Sequence, residues 1–196
     1  QQAFKELGFE VEYYASEIDK NAIQITQKNH PNTEQLGDVK EIDTSNGYLH
    51  YGKGKLAETD IYFLIGGSPC QDLSIAKNKR EGLNGKRSGL FWDYVRILKD
   101  LKPKYFVLEN VASMPKEAKN AITEALWGIE PIMIDASLFS AQQRKRLFWI
   151  GQLSDKRHIG HWDDEDYKEA DILQPEDRKI YLKDIIWKYL MLREAQ

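Results

Sequence analysis

The chain has 196 residues, of which 41% are hydrophobic and 30% charged, with a net charge of −3. That length and composition suit a globular protein of one domain, or of one domain and part of another, and exclude a fibrous or wholly disordered chain. No stretch approaches the roughly 20 apolar residues of a membrane span, and the single cysteine excludes an intrachain disulfide or a multi-cysteine metal site.

The first residues carry no basic segment followed by an apolar run, so no secretory signal is expected. One thiol fits a reducing, intracellular compartment. The charge is unevenly spread. Residues 152–196 hold 11 acids against 8 bases, which leaves 20 of each sign before them. This shift near Gly151 predicts a core over 1–151 and an acidic linker over 152–196. A net negative charge excludes a uniformly basic nucleic-acid binder, so any such role must rest on local patches. Two exist: Lys77, Lys79, Arg80, Lys86 and Arg87 against Glu81, and Arg144-Lys145-Arg146.

In chain order, residues 10–16 read as a strand ending at Glu17. Asp19 is a natural N-cap for a helix running to about Asn29, which His30-Pro31 stops. A short strand at 34–36 ends at Gly37-Asp38, and residues 44–55 read as loop. The apolar run 60–65 has strand length, is closed by Gly66-Gly67, and suits burial on both faces. A Gly/Lys/Arg-rich loop fills 72–89, and a loop of that length is usually functional or disordered. Residues 90–101 place Leu90, Phe91, Tyr94, Val95 and Leu98 at helical spacing before Pro103. A second buried strand at 105–108 ends in Glu109-Asn110. A helix follows over 115–127 with proline in its first turn, then strands at 132–136 and 146–150. This alternation predicts an open, mostly parallel α/β sheet. In such sheets ligands sit at the carboxyl ends of the strands. Glu17, Asp38, the segment from Gly66 to Cys70, and Glu109 all fall there.

A lone cysteine is ordinarily an inert buried residue. Here two glycines allow a tight turn, Pro69 fixes the backbone before the thiol, and a cationic loop after it favours the thiolate. Glu109, at the end of the next core strand, is the candidate acid partner, although by itself it also reads as an ordinary strand-end carboxylate. Asn110 reads equally as a turn-satisfying side chain, and the cationic loop as a solvated charge run.

Pro69-Cys70-Gln71, Glu109-Asn110-Val111 and Gln142-Gln143-Arg144-Lys145-Arg146 stand in the order and approximate spacing of the cytosine-C5 DNA methyltransferases, which the chain resembles over roughly 1–151. Gly67-Ser68-Pro69-Cys70, Asp72-Leu73-Ser74 and Met133-Ile134-Asp135-Ala136 look more like the animal de novo enzymes and prokaryotic or phage relatives than like the maintenance type. The resemblance implies an S-adenosylmethionine-dependent, Rossmann-like α/β sheet with helices on both faces. Cytosine C5 is a poor nucleophile until a thiolate adds at C6. The resemblance gives that role to Cys70, the acid near N3 to Glu109 (a role that asks for burial of its carboxyl), and positioning of the base to Arg144 and Arg146. It implies S-adenosyl-L-methionine as cofactor, double-stranded DNA with a flipped cytosine as partner, and neither metal nor membrane. The cell interior follows, as cytoplasm or nucleoid in a prokaryote or phage host and nucleus in a eukaryote. Gln71 and Ser74 become candidate phosphate or backbone contacts.

For the cofactor, Glu17 resembles the acid that binds ribose hydroxyls, Asp38 the acid at adenine, and Ile18 the apolar contact on the base. Gly66 and Leu90 are expected to line the methionine side. For each of these a plain surface or core role is the competing reading. The family's first strand and glycine loop are expected to precede Gln1, and residues 179–187 resemble the start of a target-recognition domain. The chain thus reads as an incomplete catalytic domain, inactive alone if the cofactor floor is missing. Two alternatives stand beside this: a tRNA cytosine-C5 methyltransferase of the same fold, and a non-catalytic regulatory or split subunit.

Overall fold

The computed structural model describes residues 1–52, 55–56, 61–67, 90–154, 167–172 and 174–180. Two compact units emerge, one of residues 1–61 with 92–102 and the other of 62–91 with 103–196.

In the first unit a helix, α1 (Gln2–Glu6), precedes a parallel pair of short strands, β1 (Tyr14–Ala15) and β2 (Glu34–Gln35). The helix between those strands, α2 (Lys20–Asn29), starts where the sequence says it should. Asp19 Oδ1 accepts from the Asn21 and Ala22 amides at 2.8 and 3.1 Å, satisfying two of the helix's orphan donors. Residues 44–55 are not simply loop. Asp43 and His50 exchange both backbone hydrogen bonds, and β3 (His50–Tyr51) then pairs antiparallel with β4 (Lys55–Leu56). The turn between Asp43 and His50 closes at Gly47, whose φ of +79° an L side chain would resist. The helix α3 (Leu90–Leu101) has the bounds its apolar spacing predicts, and Tyr94, Val95, Ile97 and Leu98 are buried while Trp92 is exposed.

The second unit is a sheet in the order β5 (Phe63–Gly67), β6 (Tyr105–Val111), β8 (Lys145–Leu153), β7 (Ile132–Asp135). The long β8 pairs with β6 along one edge. Along its other edge it pairs first with β7 and then with β9 (Tyr167–Glu169). β5, β6 and β7 run in one direction and β8 runs against them, so among the described residues β5–β6 is the one parallel hydrogen-bonded pair of this sheet, and the expected mostly parallel pairing is corrected at β8. The reason is the link between β7 and β8. It has nine residues, 136–144, too few for a crossover helix.

Two strand limits also shift. The β5 strand includes Gly66 and Gly67, and β6 runs on through Glu109 and Asn110, because the two ladders keep supplying partners: Gly66 faces Leu108 and Gly67 faces Glu109. The expected boundary at Gly151 falls inside β8, and β9 returns to pair across it, so the sheet carries past that position.

Alternation sorts this sheet into two faces. Phe106, Leu108, Asn110 and Trp149 are buried on one, toward α4 (Lys116–Ala125), whose Ala118 and Ile122 are buried too. The Trp149 indole donates to Thr123 Oγ1 at 3.0 Å, so its polar edge is satisfied. The opposite face carries Phe63 and Ile65, which are 38% and 51% exposed, so β5 is not buried on both sides as its composition suggested. Its aromatic rings shelter one another instead, Phe63 stacking on Tyr105 at 5.2 Å.

Gly151 explains the tight packing on the buried face. A Cβ there would overlap the Phe106 ring and come 2.9 Å from Ile129 Cδ1. Gly151→Ala should therefore destabilise the fold by about 1–3 kcal/mol, as overpacking does. Denaturant melts check this, with a lower midpoint at an unchanged slope as the expected result.

Candidate active site

The acid and arginine singled out in the sequence meet on the open face of the second unit's sheet. In the β6–β8 ladder Glu109 lies opposite Phe148 and Val111 opposite Arg146. Glu109 and Arg146 are thus diagonal neighbours on one face, within reach of long side chains. Arg146 Nε donates to Glu109 Oε1 at 2.6 Å, with the two side chains 24% and 36% exposed. The burial expected for Glu109 is therefore not what the chain provides; an ion pair takes its place. Arg146 Nη1 also donates to its neighbour's carbonyl, Lys145 O, at 2.9 Å.

Gly67 ends β5 directly beside this carboxylate. A Cβ at Gly67 would sit 3.1 Å from Glu109 Oε2 and 3.2 Å from Glu109 O. Glycine here keeps the ground next to the acid clear. Asn110, next to Glu109, points to the packed face, is 1% exposed, and accepts from the Val111 amide at 2.8 Å, a strand rather than a turn role. Cys70, Gln71, Ser74 and the cationic loop over 72–89 lie outside the described residues, as do 181–187 of the expected recognition-domain start.

Arg144 precedes β8 and is exposed. Its main chain is held at both ends: its amide donates to Asp135 Oδ1 at 2.9 Å and its carbonyl accepts from the Ala136 amide at 3.1 Å. Asp135 also accepts from the Ser137 amide at 3.1 Å, capping the 3-10 turn Ala136–Leu138. One carboxylate thus closes the 136–144 loop that delivers both arginines. Sequence reasoning passed over Asp135 as a site residue. The signal was there, an Asp at a strand end followed by small residues, which is the pattern of a side chain capping its own turn.

In the first unit the carboxyl ends of the parallel strands β1 and β2 are tied together by Ser16, whose Oγ donates to Gly37 O at 2.8 Å. The next residue along each strand is a predicted acid, so Glu17 and Asp38 leave the same edge. Each is fixed by its own backbone. Glu17 Oε1 accepts from the Ile18 and Asp19 amides at 2.7 and 2.8 Å, and Asp38 Oδ1 accepts from the Lys40 amide at 3.0 Å. Ile18, between the Glu17 turn and α2, is 70% exposed. Ser16 is a second contributor that composition alone did not reveal. Gly66, expected in a turn, lies within β5, and Leu90 opens α3; both belong to the second unit. Among the described residues no group of three or more His, Cys, Asp or Glu side chains could hold a metal ion, and no helix is long and apolar enough to cross a membrane.

Two outcomes follow from this geometry. If Glu109 is the acid that the resemblance makes it, Gly67→Ala should press on its carboxylate and lower turnover of the full-length protein by about tenfold, a loss typical of a small misplacement, while circular dichroism stays unchanged. Asp135 is held below its ordinary value of 3.8, chiefly by the Ser137 amide and next by that of Arg144. A depressed carboxylate stabilises the fold above its unfolded value, and that contribution is lost as pH falls through the folded one. The loop should therefore stay closed at neutral pH and loosen only below 3.8. The Arg144 amide resonance, followed through that range, should titrate in the native protein and stay flat in Asp135→Asn.

Comparison with known proteins gives the family. The C-5 cytosine-specific DNA methylase family matches residues 1–194. Orphan methyltransferase M.SPRI of Bacillus phage SPR is 36% identical over 190 residues, covering 91% of this chain and 40% of that protein. Type II methyltransferase M.NgoPII of Neisseria gonorrhoeae is 33% identical over 194 residues, covering 94% of this chain and 52% of its own length. A solved structure described as a DNA modification methyltransferase encoded within an E. coli prophage aligns with a TM-score of 0.54 at 26% identity. That alignment covers 74% of this chain and 40% of the other. The chain spans about half or less of the length of these relatives. With its α/β sheet and this family match over nearly its whole length, the chain belongs to the C-5 cytosine-specific DNA methylase family.

Proposed function

We propose that the protein carrying this chain transfers a methyl group from S-adenosyl-L-methionine to C5 of cytosine in double-stranded DNA, inside the cell. The observation that carries the reading is the Glu109–Arg146 pair at 2.6 Å, with Gly67 leaving clear ground beside it. Gly67 is three residues before Cys70.

In this reading Cys70 is the nucleophile. Its thiolate adds to cytosine C6, and the electron pair of the C5–C6 double bond is pushed through the ring toward N3. Glu109, once its carboxylate has taken up a proton from solvent, donates a hydrogen bond or that proton at N3, which accepts the developing charge. Arg146, released from Glu109 when the base arrives, and Arg144 hold the cytosine O2 and backbone. C5, made nucleophilic by that addition, would take the methyl group from the cofactor's sulfonium, whose sulfur would keep the electron pair of the broken S–CH3 bond. Loss of the C5 proton to a base lets the C6–sulfur bond break and restores the aromatic ring. A cytosine stacked in a duplex is out of reach of a fixed thiol, so the base must be flipped out.

The first unit offers groups that fit the cofactor. Two carboxylates on one strand edge, Glu17 and Asp38, suit a ribose hydroxyl pair and an exocyclic amine, and the exposed Ile18 gives a flat base an apolar seat. The catalytic core would run through β9 rather than stop at Gly151, with the residues beyond it leading into the part that reads the target sequence.

Duplex DNA containing 5-fluorocytosine traps the covalent stage because the C5 fluorine cannot leave as a proton does. Offered with S-adenosylmethionine to the full-length protein, it should yield an adduct at Cys70 by peptide mass spectrometry. Cys70→Ser should give none, and methyl transfer to tRNA should be absent. An enzyme fully active as Cys70→Ser would overturn the mechanism; a preference for tRNA would overturn the substrate.

A further inference from the structure

The acid expected at the adenine does not stand on a strand of the main sheet. Asp38 caps a single 3-10 turn, Val39–Glu41, joined to a two-residue strand. So short an element has little stiffness of its own, because one turn secures few hydrogen bonds for the backbone it must fix. What holds it is a side chain from α3, 57 residues further along the chain.

Arg96 Nη2 donates to Val39 O at 3.2 Å, the carbonyl immediately after Asp38. Its Nη1 donates to Ile42 O at 3.0 Å and to Thr44 Oγ1 at 3.2 Å, beyond the other end of the turn. Asp93 Oδ1, one turn back on α3, lies 3.5 Å from Nη2 and steadies the guanidinium. Thr44 is fully buried, and its hydroxyl donates in turn to Asp100 Oδ2 at 2.5 Å. A planar fork with donors on separate nitrogens in fixed directions is suited to bridging two carbonyls set apart, a span that the single nitrogen of an ammonium covers less well.

We propose that Arg96 is a positioning residue for cofactor binding: by clamping both ends of the 39–41 turn it sets where Asp38 meets the adenine. The inference rests on the cofactor reading of Asp38 and adds to it the element on which that acid depends. Arg96 itself touches neither cofactor nor substrate. Its removal should weaken the hold on S-adenosylmethionine and leave the chemistry at Cys70 and Glu109 alone.

The test uses the full-length protein and four variants, with S-adenosylhomocysteine affinity by calorimetry and steady-state kinetics in both substrates. Asp38→Ala should weaken cofactor binding by about tenfold, the equivalent of one charge-assisted hydrogen bond. Arg96→Ala should raise the KM for S-adenosylmethionine by a similar factor, with kcat at saturating cofactor and the KM for DNA within about twofold of the parent. Arg96→Lys, which keeps the charge and fold, should lose about threefold, since one ammonium can serve only part of the fork. On the Asp38→Ala background, Arg96→Ala should add less than about twofold, because the two act through one contact. Should Arg96→Ala not fold, Arg96→Lys decides: an unchanged cofactor KM overturns the proposal. So does a fall in kcat and in DNA affinity equal to the loss of cofactor affinity, or full additivity with Asp38→Ala. If Asp38→Ala is silent, it is the cofactor reading of Asp38 that fails.

Discussion

The antiparallel ladder between β6 and β8 is the constraint on which the candidate site depends. Seven residue pairs, from Tyr105–Gln152 to Val111–Arg146, fix which side chains share a face. Glu109 and Arg146 meet only because they lie on the same face, one diagonal apart. Slipping the register by one residue would turn every β8 side chain to the other face and send Arg146 away from the acid. What forbids the slip lies on the far side of the sheet, where Trp149 and Phe106 are fully buried and Gly151 leaves room for the Phe106 ring. Burying an aromatic side chain of this size is worth about 1.5–3 kcal/mol, and a slip would expose it to water. The packed face therefore sets the geometry of the open one.

A second device recurs at three strand ends. Glu17, Asp38 and Asp135 each turn a carboxylate oxygen back onto amides of the chain just beyond them. A short connection has few backbone partners of its own, and a side-chain acceptor replaces them. The consequence reaches the chemistry. A carboxylate fixed by its own backbone has lost most of its rotamer freedom before any ligand arrives, so less entropy is lost on binding. Asp135 uses the same device differently. By also accepting from the Arg144 amide it orders nine residues of loop with one side chain.

What could be read from the sequence follows from the range of the forces involved. The start of α2 at Asp19 and the bounds of α3 were legible because a cap and an apolar stripe act within one or two turns. Glu109, Arg144 and Arg146 were legible as site candidates because their motifs stand at strand ends. The antiparallel course of β8 was not, since only the length of the 136–144 link, once β7 and β8 are delimited, rules out a crossover. Nor was the hairpin after Asp43, whose strands are two residues long and gain their order from the Asp43–His50 bridge. The exposure of Phe63 and Ile65 was hidden for another reason. An apolar run looks the same whether one face or both are covered, and the unit decides which. Arg96 was invisible because its partners, Val39, Ile42 and Thr44, lie more than 50 residues away.

The strength of the Glu109–Arg146 pair decides whether it helps or hinders a reaction. A buried pair of this length would resist separation, since parting two desolvated charges leaves each uncompensated. Here both side chains are in contact with water, at 36% and 24% exposure, and screening leaves such pairs with about 0–1 kcal/mol. A flat base that offers the Glu109 carboxyl, once protonated, an acceptor nitrogen and the guanidinium an oxygen can replace the pair's single contact with at least two hydrogen bonds. The exchange is close to balanced before the base arrives and favourable once it is held. An ion pair at the surface thus keeps both groups aligned without locking them, and the rigidity they need comes from the ladder beneath.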